Sequence, residues 1–167
     1  MGVTPGTQVI VKDTDLGRIG FMTCYDSWFT DVIELNALRG AELILFPNAG
    51  YYRSIMTARA ADNGVRILSS SLYNEAGIWD TGGRDVQHPD QDTTSMLIKG
   101  QTFKNVVQTT VDSITILTAS LDLNFSPQPH YNNGTMFSAP AGRRNKRDQV
   151  YYLEDDIKSE RARWWKE

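Results

Sequence analysis

The chain has 167 residues, of which 40% are hydrophobic and 22% are charged, and its formal net charge at pH 7 is -3. This length and composition suit one globular domain with a hydrophobic core, and they exclude a disordered or fibrous protein. The slight acidity excludes a general nucleic-acid binder, because such proteins need a basic surface that displaces counterions from phosphates.

No stretch of the sequence predicts a membrane protein. The first 15 residues, MGVTPGTQVIVKDTD, lack the apolar core of a signal peptide, and no uninterrupted apolar run reaches the length that spans a bilayer. We therefore expect a soluble chain without a membrane partner. The single cysteine, Cys24, cannot form an intramolecular disulfide. A single cysteine does not identify the cellular compartment of the protein, and we favour the cytoplasm.

The first half of the sequence alternates between strand and helix patterns. Short apolar runs bounded by turn residues predict strands, and apolar residues at helical spacing, closed by a glycine, predict helices. In chain order the predicted elements are strands at 8–12 and 18–25, a helix at 30–39, a strand at 42–47, a helix at 55–63 and a strand at 65–72. The first two strands can form a hairpin, and the strand, helix, strand order indicates an α/β sheet with right-handed crossovers.

The second half has different patterns. Residues 74–92 are rich in Gly, Asp and Asn and predict a surface loop. Residues 93–98, 105–111 and 113–121 are β-branched runs without helices between them, which predicts antiparallel pairing.

The tail begins with an extended segment rich in Pro, Gly and Asn at 126–142. A basic patch at 143–147 then precedes a predicted helix at 148–166. Basic residues before an aromatic helix could bind nucleic acid, but acidic residues at 154–156 interrupt the positive field. A solvated or partner-facing helix is the favoured interpretation.

Cys24 ends an apolar run in the stretch GRIGFMTCYDSWFTD, one step before Tyr25-Asp26 and ahead of the helix predicted at 30–39. A free cysteine is often a small buried hydrophobe, and the position alone allows that interpretation. The carboxyl end of a strand is also where α/β sheets place reactive groups. A thiolate at such a turn could attack a carbonyl carbon, and the backbone N–H of Tyr25 could then face the developing oxyanion.

A nucleophilic thiolate needs a base. The two histidines, His88 and His130, are candidates, but neither has the arrangement typical of a cysteine protease, and both can be exposed loop residues. One cysteine and two distant histidines lack metal-ligand spacing, and the sequence contains no nucleotide-binding glycine motif. We therefore expect no metal and no cofactor.

Several segments together resemble the carbon-nitrogen hydrolase (nitrilase) superfamily. The residues around the cysteine that carry the resemblance are Gly17-Arg18-Ile19-Gly20, Cys24-Tyr25-Asp26, Phe29 and Asp31. Further similar segments lie at 38–42 (LRGAE), 46–49 (FPNA), 59–63 (RAADN), 95–98 (SMLI) and 119–123 (ASLDL). The matching segments occur in the family's order from about residue 4 to residue 123. Taken together, these segments are specific to the family.

The resemblance implies a four-layer α-β-β-α sandwich, of which this chain holds only the C-terminal part. It also implies a Cys-Glu-Lys triad that hydrolyses small amides, nitriles or carbamoyl compounds through a thioester. Cys24 would be the nucleophile, and the N–H of Tyr25 an oxyanion donor. Residues 1–125 would form the hydrolase part, and residues 126–167 a tail that contacts another subunit of a homodimer.

The sequence departs from the family pattern in one respect. The family's glutamate and lysine both precede the cysteine, whereas only Lys12 and no glutamate occur before Cys24. Lys12 lies in a predicted strand, and Glu34 lies on the helix that follows the cysteine. We therefore expect that the chain lacks the half that supplies base and lysine, and that alone it catalyses poorly or not at all.

Asn48, Tyr51 and Tyr52 follow a predicted strand end and are candidate substrate-binding residues, although the tyrosines could instead pack with an exposed hydroxyl. Trp28 could limit access to Cys24 or fill the core. Two functions stay open: a hydrolase of non-peptide carbon-nitrogen bonds, and a non-catalytic binding or assembly module that keeps the fold.

Overall fold

The structure is a computed structural model that describes residues 4, 6–73, 75–87, 98–99, 103–121, 128–129, 159 and 162. The first group of elements is β1 (Val11–Thr14), β2 (Gly17–Phe21), a 3-10 helix (Cys24–Trp28), α1 (Thr30–Leu38), β3 (Leu43–Asn48), α2 (Arg53–Asn63), β4 (Arg66–Ser71) and β5 (Gly77–Trp79). The second group is β6 (Ile98–Lys99), β7 (Phe103–Val111), β8 (Ile114–Leu121) and β9 (Gln128–Pro129). The predicted α/β class is confirmed.

The first five strands form one sheet in the order β1-β2-β3-β4-β5. β1 and β2 pair antiparallel, so the predicted hairpin is confirmed, and its strands are displaced from the predicted ranges. The Thr14 hydroxyl donates to the Gly17 carbonyl at 2.8 Å and accepts from the Leu16 N–H at 3.2 Å, which places the turn at 14–17. β2, β3 and β4 run parallel, with α1 and α2 between them.

Both helices pack on one face of this sheet. Ile44 and Phe46 of β3 and Ile67 of β4 are buried there, each at 1% exposure or less, and they pack with residues of α1 and α2. The opposite face stays partly open, since Phe21 is 43% exposed and Leu68 39%. The described sheet and its helices thus form one α layer and one β layer, which are two of the four layers that the resemblance implies.

The predicted surface loop at 74–92 is wrong for residues 77–83. β5 pairs with β4, and Trp79 and Asp80 are fully buried. The Asp80 carboxylate accepts hydrogen bonds from the Gly82 and Arg84 N–H groups at 2.8 and 3.0 Å and from Arg84 Nε at 2.6 Å. The polar residues that predicted a loop therefore close a buried turn, because Asp80 uses them as internal hydrogen-bond donors.

The late antiparallel pairing is confirmed by the β7–β8 hairpin, which has a register shift between Lys104 and Val107. β6 pairs antiparallel with β9. Of the predicted strand at 93–98 only its last residue is described, and most of the tail at 126–167 lies outside the described residues, although Ser159 and Ala162 are helical.

Where the structure describes the chain, none of its helices has the length and apolar character needed to cross a membrane.

Candidate active site

The end of β2 is fixed by a contact that requires glycine at position 20. A Cβ atom there would lie 2.3 Å from Oδ1 of Asn36 on α1. The buried Asn36 side chain uses Nδ2 to donate to the carbonyls of Phe21 and Val32, at 3.2 and 2.9 Å. Helix α1 is therefore held against the last residue of β2, and this contact positions the turn that follows.

Residues 23–29, here called the Cys24 turn, connect β2 to α1. The Thr23 N–H donates to Oδ2 of Asp26 at 2.8 Å, and the Asp26 N–H donates back to the Thr23 carbonyl at 2.9 Å. The Ser27 hydroxyl donates to the Cys24 carbonyl at 2.9 Å. These short-range bonds fold the chain sharply at the carboxyl end of a parallel strand.

Cys24 has a backbone φ of 43°, which lies in the left-handed region. This conformation is uncommon for residues other than glycine, and such backbone strain is found most often at functional sites. Cys24 is partly buried and does not belong to the core cluster of the helix-covered face. Among the described residues no acceptor meets the N–H of Tyr25, which leaves that donor available at the turn.

Asn48 ends β3, beside the Cys24 turn in the sheet order. Its Nδ2 donates to the Ser69 hydroxyl and the Ser70 carbonyl, each at 2.8 Å, and so ties β3 to β4. Its Oδ1 is buried and has no hydrogen-bond partner within the described part of the chain. Of the three predicted substrate-binding residues, Asn48 thus keeps an unused acceptor.

Tyr51, the second of these predicted residues, is only 8% exposed. Its hydroxyl donates to the Glu75 carbonyl at 2.7 Å, and its ring packs edge-on against Trp79 at 5.4 Å between centroids. Burial raises the pKa of the Tyr51 phenol to about 12. Its neighbour Tyr52 is 61% exposed, and the Tyr52 ring packs edge-on against Trp28 at 5.4 Å.

Arg53, the first residue of α2, has a role that the sequence analysis missed. Its guanidinium forms ion pairs with Asp85 and, at 3.2 Å, with Glu75, and it donates to Gln87. It also lies over the Tyr51 ring, 5.9 Å from the centroid. No sequence signal marks Arg53, because its partners lie more than twenty residues further along the chain.

Among the described residues, no histidine or lysine side chain hydrogen-bonds to the Cys24 turn. Lys12 is exposed and faces Ile19 in the β1–β2 hairpin, and Glu34 lies on α1. His88 and His130 are outside the described residues. Within the described residues, no basic side chain hydrogen-bonds to the turn, and no three His, Cys, Asp or Glu side chains come close enough to hold a metal ion.

Fold and site together define an α/β protein with a cysteine in a sharp turn after an internal parallel strand. The sequence profile of the carbon-nitrogen hydrolases matches residues 3–124. The chain therefore belongs to the carbon-nitrogen hydrolase family, as its motifs predict.

Similar proteins include an omega-amidase of Arabidopsis thaliana chloroplasts, 33% identical over 82 residues, which are 45% of this chain and 22% of that protein. A citrullinase of Francisella tularensis is 30% identical over 76 residues, covering 38% of this chain and 27% of that protein. Nit3 of Saccharomyces cerevisiae, a nitrilase-superfamily structure, shares 26% identity over 50% of this chain and 37% of its own, with a TM-score of 0.48. In each match the chain spans well under half the length of the relative.

Proposed function

We propose that this chain carries the nucleophile of a hydrolase that cleaves small non-peptide amides, carbamoyl compounds or nitriles. The observation that carries the proposal is Cys24, which combines a left-handed backbone with the turn after β2 inside the region that matches the family. The names of the relatives, omega-amidase and citrullinase, support amides and carbamoyl compounds as substrates.

In the proposed reaction with an amide, the Cys24 sulfur forms a bond to the carbonyl carbon. The Tyr25 N–H then stabilises the oxyanion of the tetrahedral intermediate. The carbon-nitrogen bond breaks, the amine leaves with the thiol proton, and a thioester remains. Water attacks the thioester carbon, releases the carboxylic acid and returns a proton to sulfur. Asn48 Oδ1 is the candidate acceptor for the substrate N–H, since it has no partner among the described residues.

The proposal places the general base and the lysine of the triad outside these 167 residues. Lys12 lies in the β1–β2 hairpin and Glu34 lies on α1, and a thiol without a base is a weak nucleophile. Residues 1–125 then form the part of the hydrolase that contains the cysteine. Residues 126–167 form a tail that contacts the second subunit of a homodimer.

The test begins with the intact mass of the natural polypeptide that contains this sequence, followed by peptide mapping upstream of residue 1. That polypeptide is incubated with a series of amides, carbamoyl compounds and nitriles, and released ammonia is measured. We expect release that Cys24→Ala abolishes, and a trapped acyl group on the peptide containing Cys24. Cys24→Ser, which keeps a small polar side chain, controls for loss of the turn geometry.

The 167-residue chain is tested in parallel. We expect no ammonia release above the Cys24→Ala background, because the base and the lysine are absent. Release that Cys24→Ala abolishes in this chain would contradict that part of the proposal. A natural polypeptide whose Cys24 is unreactive while ligand or subunit binding is normal would favour the non-catalytic module.

A further inference from the structure

Residues 49–52, here called the β3–α2 turn, contact two different parts of the molecule. The backbone at Tyr52 is extended, with φ of -100° and ψ of 121°. Successive side chains of an extended chain point to opposite sides. Tyr51 and Arg53 therefore face one side, and Tyr52 faces the other side.

On the first side, the β3–α2 turn is hydrogen-bonded to the chain that follows β4. The Ala49 carbonyl accepts from the Tyr73 N–H at 2.8 Å. The Tyr51 hydroxyl donates to the Glu75 carbonyl at 2.7 Å. These two bonds fix the main chain of the turn at its first and third residues.

Arg53 adds side-chain contacts on the same side. Its guanidinium pairs with Asp85, whose side chain is 10% exposed, and with Glu75, and it donates to Gln87. It also lies 5.8 Å from the centroid of the buried Trp79 ring. A planar guanidinium holds several acceptors in fixed directions. Arg53 therefore fixes the residue before it, Tyr52, relative to residues 75–87.

On the second side, Tyr52 contacts the Cys24 turn. Its ring packs edge-on against Trp28, with centroids 5.4 Å apart. Trp28 lies outside the core cluster of the helix-covered face, so it does not fill the core, which was one of its two predicted roles. It is the last residue of the 3-10 helix that begins at Cys24, and the Ser27 hydroxyl donates to the Cys24 carbonyl within that helix. A displacement of Trp28 is therefore passed on to Cys24.

We infer that Arg53 is a positioning residue for Cys24, and that it acts through Tyr52 and Trp28. This inference rests on the proposed function of Cys24. Attack on a carbonyl carbon needs a nucleophile in one geometry, and a small displacement is costly to the rate. Without Arg53, the β3–α2 turn relaxes, and Tyr52 loses its fixed contact with Trp28.

The first test measures kcat and KM for ammonia release by the natural polypeptide that contains this sequence, with the amide that it hydrolyses fastest. Arg53→Met should lower kcat about tenfold and change KM by less than about twofold, because a misplaced nucleophile weakens transition-state stabilisation more than substrate binding. Arg53→Lys keeps the charge without the fork and replaces Arg53→Met if that variant does not fold. It should lower kcat in the same direction.

A double-mutant cycle tests the route. Tyr52→Ala should also lower kcat, and adding Arg53→Met to it should have little further effect, since the two residues act in series. Val65→Ala truncates a buried side chain just before β4, at the opposite end of the strand from the turns. This variant controls for lost stability, and its kcat should equal that of wild type at a temperature where all variants are folded.

The second test reports position without catalysis. The polypeptide is labelled with 5-fluorotryptophan, and the fluorine NMR signal of Trp28 is assigned by its loss in Trp28→Phe. Arg53→Met and Tyr52→Ala should each shift this signal, whereas Val65→Ala should not. Only the Trp28 signal is scored, because Trp79 contacts Arg53 directly.

The outcomes separate the inference from the proposed function. An active polypeptide in which Arg53→Met leaves kcat or the Trp28 signal unchanged overturns the inference and leaves the nucleophile proposal intact. Additive losses in the double variant, or a rise in KM alone, also overturn it. A wild-type polypeptide that releases no ammonia from any substrate in the series overturns the proposed function, and the inference with it.

Discussion

The turn after β2 and the turn after β3 follow the carboxyl ends of neighbouring parallel strands. Different contacts hold the two turns in place. The Cys24 turn is closed by bonds among its own residues, carries exposed rings, and contains a residue with φ of 43°. The turn before α2 is tied to distant segments through Tyr51 and Arg53. The first turn presents its side chains to solvent, and the second turn is anchored to distant segments of the chain.

The largest expected effect comes from removing Arg53. Arg53→Met leaves the nearly buried Asp85 carboxylate without its cation and should lower the free energy of unfolding by about 2 to 3 kcal/mol. Arg18→Met, which removes an exposed ion pair with Asp13, should cost less than about 1 kcal/mol. Urea unfolding of the two variants measures the difference. Equal midpoints would show that the second turn does not depend on this contact.

Tyr51 gives the next effect, which depends on pH. Burial raises the pKa of this phenol from its ordinary value of 10.0 to about 12, so it ionises first in the unfolded chain. Its contribution to stability is complete below pH 10 and is lost as the pH rises toward 12. Between pH 8 and pH 11 wild type should lose about 1 kcal/mol more than Tyr51→Phe.

The pH dependence is measured by urea unfolding at pH 8, 10 and 11. Tyr52→Phe, which removes a hydroxyl from a largely exposed ring, is the matched control and should follow wild type. If Tyr51→Phe also follows wild type across the interval, then the Tyr51 hydroxyl does not hold the second turn.

The smallest expected effect concerns Cys24, where substitution by glycine should give a higher free energy of unfolding than substitution by alanine. Glycine relieves the left-handed backbone, so Cys24→Gly should be more stable than Cys24→Ala by about 0.5 to 1 kcal/mol. At Ser27, in the same turn and without a positive φ, glycine should be less stable than alanine. Thermal unfolding of the four variants tests this reversal, and its absence would mean that Cys24 is unstrained.

The sequence predicted the elements of the sheet because their signals are local. Turn residues and apolar spacing placed α1 at its observed start, and the apolar run at 42–47 overlaps β3. β5 was missed because three residues carry little periodicity and because Asp80 converts the polar residues around it into internal donors. Such a buried turn depends on contacts with β4 and α2 that the sequence does not display.

The site was predictable to a similar degree. The position of Cys24 after a strand follows from its motif, whereas its left-handed backbone does not. Tyr51 and Tyr52 are adjacent in sequence, and only the structure separates a buried ring from an exposed one. Arg53 was missed because ion pairs between distant segments leave no local pattern.

The backbone of Cys24 also bears on how this sequence can change over time. Every cysteine codon becomes a glycine codon by substitution of a single base, and at this position glycine relieves the left-handed backbone. Drift without a need for the thiol would therefore remove it early. A relative that retains cysteine at this turn has kept it although glycine would relieve the backbone strain, so its presence or absence distinguishes lineages that use the sulfur from lineages that use only the fold.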